Sequence, residues 1–158
     1  MVRAGYDVTV FDKDKSKADE LVKFGAKFAN SSNDVAIQSD YLFLCVGHMK
    51  NLVNLMENED YGIYDDIKVG GIVINHSPRD PEFEHDEKVY LKSKHSTLLD
   101  APIHVGDNDD HQMKKEMQVG GVESEFEHVA PLLKLYATKL RYIGDMEVCQ
   151  NPDYPCEV

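Results

Sequence analysis

The chain has 158 residues, 42% hydrophobic and 29% charged, which suits one globular domain with a real core rather than a disordered or fibrous chain. Seventeen Lys+Arg against 29 Asp+Glu give a formal net charge of −12, a balance that repels phosphate backbones and excludes nucleic acid and anionic membrane as expected partners. Three cysteines, none spaced Cys-x-x-Cys, cannot build a disulfide framework.

The chain begins Met1-Val2-Arg3-Ala4-Gly5, without an apolar signal core or an Arg/Ser-rich transit pattern. The expectation is a reduced, cytoplasmic protein, with a mitochondrial site left open if residues precede Met1. A first strand is predicted over 7–11, a β-branched and aromatic run ended by Asp12. Residues 15–24 carry Ala18, Leu21 and Val22 at helical spacing, with Gly25 as the stop. Residues 41–46 (Tyr-Leu-Phe-Leu-Cys-Val) are the longest apolar run, far short of the roughly 20 residues that span a bilayer. They read as a strand buried on both faces, with Cys45 inside it as a small apolar residue.

A helix follows over 49–57 through Leu52, Val53 and Met56, and a second two-sided strand over 70–75. Asp80-Pro81 is a helix start, Asp80 capping and Pro81 at the first helical position. Residues 97–101 form another strand. The segment 123–136 places Phe126, Val129, Ala130, Leu133 and Tyr136 on one helical face, and 140–143 is a last short strand. No internal repeat or low-complexity linker interrupts this order.

Strands buried on both sides and alternating with helices predict an α/β, Rossmann-type, mostly parallel sheet with helices on both faces. Such sheets bind ligands outside the carboxyl ends of their strands. Asp12, Gly47 and Ser77 each fall just after a predicted strand, so they mark the expected rim. The run Asp107-Asn108-Asp109-Asp110-His111 offers metal-ligand types but lacks the spacing of a calcium loop, and it reads as a solvated acidic loop with no metal expected. His85, His95 and His128 sit among polar neighbours and read as surface residues.

Five segments, in order, resemble the 3-hydroxyisobutyrate dehydrogenase group of β-hydroxyacid dehydrogenases, relatives of 6-phosphogluconate dehydrogenase. Ala4-Gly5-Tyr6-Asp7-Val8-Thr9-Val10-Phe11-Asp12 is similar to that family's second strand, and Ser39-Asp40 with residues 42–47 to its fourth. Ser77-x-x-Asp80-Pro81 resembles its Ser-Thr-x-x-Pro turn, and Asp100-Ala101-Pro102 the start of its Asp-Ala-Pro-Val-Ser-Gly-Gly loop. Val119-Gly120-Gly121-Val122-Glu123 with Phe126 resembles its Val-Gly-Gly segment.

The resemblance implies a domain binding NAD or NADP, in a protein that reversibly oxidises a short β-hydroxyacid. By the same analogy Asp12 faces the adenosine ribose, Cys45, Val46 and Gly47 lie along the cofactor, and Ser77 lies near the nicotinamide ribose. An acid after the second strand hydrogen-bonds the ribose 2′-OH and repels a 2′-phosphate, which favours NAD; Lys13 beside it softens the preference. His104 and Gly106 stand in the substrate loop, where the family's Ser-Gly-Gly has become His104-Val105-Gly106. Ser-Thr has become Ser77-Pro78, and Asp153 falls where the resemblance puts the catalytic lysine.

The analogy also puts the fold's first strand and its Gly-x-Gly-x-x-Gly turn ahead of Met1, and a helical domain beyond the end. The expectation is thus an incomplete dinucleotide-binding domain over 1–145 with an irregular tail over 146–158, inactive as a dehydrogenase as written and unstable where strand edges lose a neighbour. The alternatives are a non-catalytic interaction domain, forming a homo-oligomer through its open edges, or a decayed paralogue.

Overall fold

In the computed structural model, residues 1–58, 60, 62–77, 81–105 and 115–145 are described. β1 (Thr9–Val10) leads into α1 (Lys15–Lys23), and β2 (Lys27–Phe28) returns parallel to β1. The α1 ends are set by local chemistry. The Asp14 carboxylate accepts from the Ser16 N–H at the start. At the far end Ala26 N–H donates to Leu21 O and Gly25 N–H to Val22 O, with Gly25 at φ 104°, a Schellman stop.

α2 (Ser32–Gln38) begins at Ser31, whose hydroxyl accepts from the Asp34 N–H. Then come β3 (Tyr41–Leu44), α3 (Met49–Glu57), β4 (Ile72–Asn75), α4 (Pro81–Ser93) and β5 (Thr97–Asp100). β6 (Ile103–Val105), β7 (Lys115–Gly120), α5 (Glu123–Leu133) and β8 (Lys139–Gly144) complete the order. The helices at 15–23, 49–57 and 81–93 lie where the sequence predicts them.

The main sheet runs β3-β4-β5-β7-β6, with β8 also paired to β7. β3, β4 and β5 are parallel and in step, Leu44 facing Asn75 and Asn75 facing Asp100. β7 is antiparallel to β5 and β6, and parallel to β8. The expected mostly parallel Rossmann-type sheet is therefore present, with two antiparallel pairings that the sequence reading did not foresee.

Alternation along these strands fills a core on each face. Leu42, Leu44, Val73 and Leu98 join Leu52, Met56 and Leu91 on one side; Ile72, Ile74 and Leu99 join Val129 and Leu133 on the other. Gly121 marks the tightest approach: at φ 134°, a Cβ there would lie 2.6 Å from Leu99 Cδ2.

β1 and β2 form a separate two-stranded sheet, so among the described residues no ladder joins β1 to β3. That interruption leaves β3 with one ladder, to β4, among the described residues. It also corrects the two-sided reading of 41–46: β3 ends the main sheet, Leu42 and Leu44 are buried, Phe43 is half-buried, and Tyr41 and Cys45 are exposed. α5 likewise stops at Leu133, leaving Tyr136 beyond the helix rather than on its face.

Candidate functional site

Because β3, β4 and β5 run parallel and in register, their carboxyl ends form one rim. Cys45, Val46 and Gly47 follow β3; His76 and Ser77 follow β4; Ala101 follows β5. Three hydrogen bonds tie these ends together. His76 N–H donates to Leu44 O at 2.8 Å, Ala101 N–H to Asn75 O at 2.8 Å, and Val46 N–H to the Ser77 hydroxyl at 3.1 Å. Ser77 is buried, and its own N–H donates to Asn75 Oδ1 at 2.9 Å, so both strand-end turns are fixed by satisfied polar groups.

Gly47 is exposed, and a Cβ there would meet nothing within 4 Å. The rim is therefore open at Gly47. Cys45 is exposed as well, which overturns its reading as a buried apolar residue: Leu44 is the last residue of β3 paired in the ladder.

Asp12 follows β1, half-buried, and its Oδ1 accepts from the Asp14 N–H at 2.8 Å. That bond holds the carboxylate at the turn into α1, at the carboxyl end of its own strand. One hydrogen bond between the β1 unit and α2 runs from the Thr9 hydroxyl to Gln38 Oε1 at 3.4 Å. The structure thus brings Cys45, Val46, Gly47 and Ser77 together and puts Asp12 on the neighbouring small sheet.

His104 lies on β6, its backbone opposite Glu116. Its side chain, Gly106, Pro78, Asp80, the 107–111 loop, Asp153 and the 146–158 tail lie outside the described residues. His95 and His128 are exposed, as expected.

Two residues at the rim escaped the sequence reading. His76 Nδ1 bonds the Ala101 carbonyl at 2.5 Å, and its Nε2 bonds the Tyr136 hydroxyl at 2.7 Å. Burial holds the His76 imidazole below its usual pKa, with the Ala101 bond acting the other way. Burial, aided by the charge of Cys45, pushes the Tyr136 phenol up. Both groups are therefore neutral near pH 7. No spacing rule pairs positions 60 residues apart.

A family model, the NAD binding domain of 6-phosphogluconate dehydrogenase, matches residues 1–144. The chain belongs to that family. This nicotinamide-dinucleotide-binding domain type agrees with the site: an open rim at the carboxyl ends of parallel strands and an acid after β1 suit an extended dinucleotide.

An Arabidopsis thaliana relative, "Probable 3-hydroxyisobutyrate dehydrogenase-like 1, mitochondrial", is 30% identical over 144 residues, covering 91% of this chain and 43% of the relative. Rat mitochondrial 3-hydroxyisobutyrate dehydrogenase is 24% identical over 157 residues, covering 96% of this chain and 47% of the enzyme. Among solved structures, Mycobacterium tuberculosis 3-hydroxyisobutyrate dehydrogenase with L-serine matches with TM-score 0.78 at 20% identity, over 91% of this chain and 50% of that one.

The chain thus spans about half the length of the relatives it matches, and the part it shares with the matched family is an NAD-binding domain. No helix among the described residues is long and apolar enough to cross a membrane.

Proposed function

We propose that this chain is the dinucleotide-holding half of an oxidoreductase acting on the CH–OH group of a small β-hydroxyacid. The observation that carries the reading is the shared rim of β3 and β4, closed by the Val46–Ser77 bond, within a domain matched over residues 1–144 by an NAD-binding family. Bound there, the nicotinamide cofactor supplies hydride acceptance and donation. The residues of this chain bind and orient it.

In this reading the Asp12 carboxylate accepts from the adenosine ribose hydroxyls and disfavours a 2′-phosphate, so NAD is held in preference to NADP. Cys45, Val46 and Gly47 lie along the dinucleotide, Gly47 leaving room for its backbone. Ser77 borders the nicotinamide ribose, and the loop entered at His104 and Gly106 borders the substrate.

The resemblance to β-hydroxyacid dehydrogenases implies that a group moving the substrate proton stands around Asp153. A carboxylate there, with an ordinary pKa near 3.9 against about 10.4 for lysine, does not perform the same transfer. The expected behaviour of the 158-residue chain is binding without turnover.

Fluorescence titration of the purified chain with NADH, alongside an assay with short β-hydroxyacids, tests this. Saturable NADH binding with no oxidation of any β-hydroxyacid is expected. Failure to bind NADH and NADPH, or turnover by the chain alone, contradicts it.

The interrupted ladder between β1 and β3 supports a second reading, in which these edges pair with another protomer and the chain is a homo-oligomeric interaction domain. A concentration-dependent mass in sedimentation, unaffected by nucleotide, favours it; a monomer at all concentrations rejects it.

A further inference from the structure

The hydrogen bonds of His76 determine where its proton sits. The Ala101 carbonyl can only accept, so Nδ1 carries the proton and donates across 2.5 Å. Nε2 is then the acceptor, and the Tyr136 hydroxyl donates to it across 2.7 Å. The His76 ring is packed from two sides, stacked on Phe43 with centroids 5.8 Å apart and edge-on to Tyr136 at 5.8 Å. Packing alone does not require these polar groups, since burying a phenol and an imidazole costs free energy that apolar side chains of similar size avoid.

The pair has consequences for the rim because of what it bonds. His76 is held to β3 through Leu44 O and to β5 through Ala101 O. The next residue is Ser77, whose hydroxyl takes the Val46 N–H. The chain from Tyr136 through His76 to the strand ends is thus one connected set of satisfied hydrogen bonds, anchored beyond α5 and ending at the two rim residues.

We propose that Tyr136 and His76 are positioning residues for the nicotinamide end of the dinucleotide: their hydrogen bond fixes the turn after β4, and through it the orientation of Ser77 and the Val46 N–H. The inference rests on the rim reading given under Proposed function. It adds a requirement for the Tyr136 hydroxyl, a group whose hydrogen bond goes to His76. A clamp that served stability alone would leave nucleotide discrimination untouched.

Tyr136→Phe removes one oxygen and keeps the ring packing. The full chain and this variant are titrated with NADH and with ADP, which carries the adenosine and pyrophosphate but no nicotinamide riboside. The fold is checked by thermal melting, and the His76 ring nitrogens are followed by ¹⁵N NMR.

The expected result is NADH affinity lower by about fivefold, the equivalent of one net hydrogen bond, ADP affinity unchanged, and the His76 Nε2 resonance moved to that of a free acceptor. Equal NADH affinity in both proteins overturns the inference while leaving the dinucleotide reading intact. An equal loss for NADH and ADP also overturns it, because it marks a general effect on the fold. If the unaltered chain binds neither nucleotide, the dinucleotide reading fails and this inference fails with it. A variant that melts too early for titration is replaced by the NMR arm: addition of NADH to the unaltered chain is expected to shift the His76 Nε2 resonance, and an unmoved resonance under saturating NADH overturns the inference.

Discussion

The Ser77 hydroxyl accepts a hydrogen bond from the Val46 N–H at 3.1 Å, joining the carboxyl ends of two parallel strands. Ser77 is buried, so removing its oxygen leaves the Val46 N–H without its partner on the half-buried rim. Ser77→Ala is expected to cost about 1–2 kcal/mol in urea unfolding and to weaken NADH binding. Unchanged stability and unchanged affinity together would show that the bond does not shape the rim.

Glu87 is a buried acid without a hydrogen-bond partner among the described residues. It is 1% exposed, on α4 one turn before Leu91, and neither carboxylate oxygen has a hydrogen-bond partner. Burial, with the charge of Glu57 adding to it, raises its pKa from 4.5 to about 8.

The fold therefore holds a proton at Glu87 that the unfolded chain releases. Stability falls as pH rises from about 4.5 to about 8, because in that window the unfolded state binds fewer protons. Glu87→Gln, which cannot ionise, is expected to be more stable at pH 7 by about 3 kcal/mol. The gap should be small near pH 5 and level off above pH 8, as read by chemical denaturation at three pH values. A gap independent of pH would contradict the raised pKa.

Asp12 governs the choice between the two dinucleotides in this account. Its Oδ1 already accepts from Asp14 N–H, which fixes the carboxylate at the turn. Asp12→Ser keeps a short oxygen for that bond and removes the charge. The ratio of NADPH to NADH affinity is expected to rise about tenfold, and parallel titrations read it directly. A ratio that does not move would place the adenosine ribose elsewhere.

Gly121→Ala tests the packing beneath the rim. The position has φ 134°, and the new Cβ would meet Leu99 Cδ2 at 2.6 Å and Leu98 O at 3.0 Å. Backbone strain and overlap together are expected to cost about 2–4 kcal/mol, seen as a lowered melting temperature. A variant as stable as the parent would mean that α5 and β5 can separate freely.

Periodicity made the main helices legible, since amphipathic spacing and the Gly25 stop are local signals. The parallel strands at 72–75 and 97–100 were legible from adjacent apolar residues, Ile72-Val73-Ile74 and Leu98-Leu99, which fill both faces of a covered sheet. α2 was missed because only Val35, Ala36 and Ile37 interrupt its polar residues, although Ser31 with Asp34 carried a cap signal. β2 was missed because two residues make no pattern.

β7 hides its role in alternation, with Met117 and Val119 buried between polar neighbours. The strand-end residues Gly47 and Ser77 were found because a parallel sheet puts its ligand side where strands stop. The exposure of Cys45 was not, since it depends on β3 being the last strand of its sheet. The His76–Tyr136 pair was invisible for a similar reason: the contact exists only after α5 folds back onto β5.

The most direct test of the central claim is a ¹⁵N–¹H NMR titration of the 158-residue chain with NADH, reading which backbone amides move. The account predicts saturable shifts concentrated at Asp12, Val46, Gly47, Ser77 and Ala101, the carboxyl ends of β1, β3, β4 and β5. No shifts at saturating nucleotide, or shifts confined to α1, α4 or the β8 edge, would contradict it.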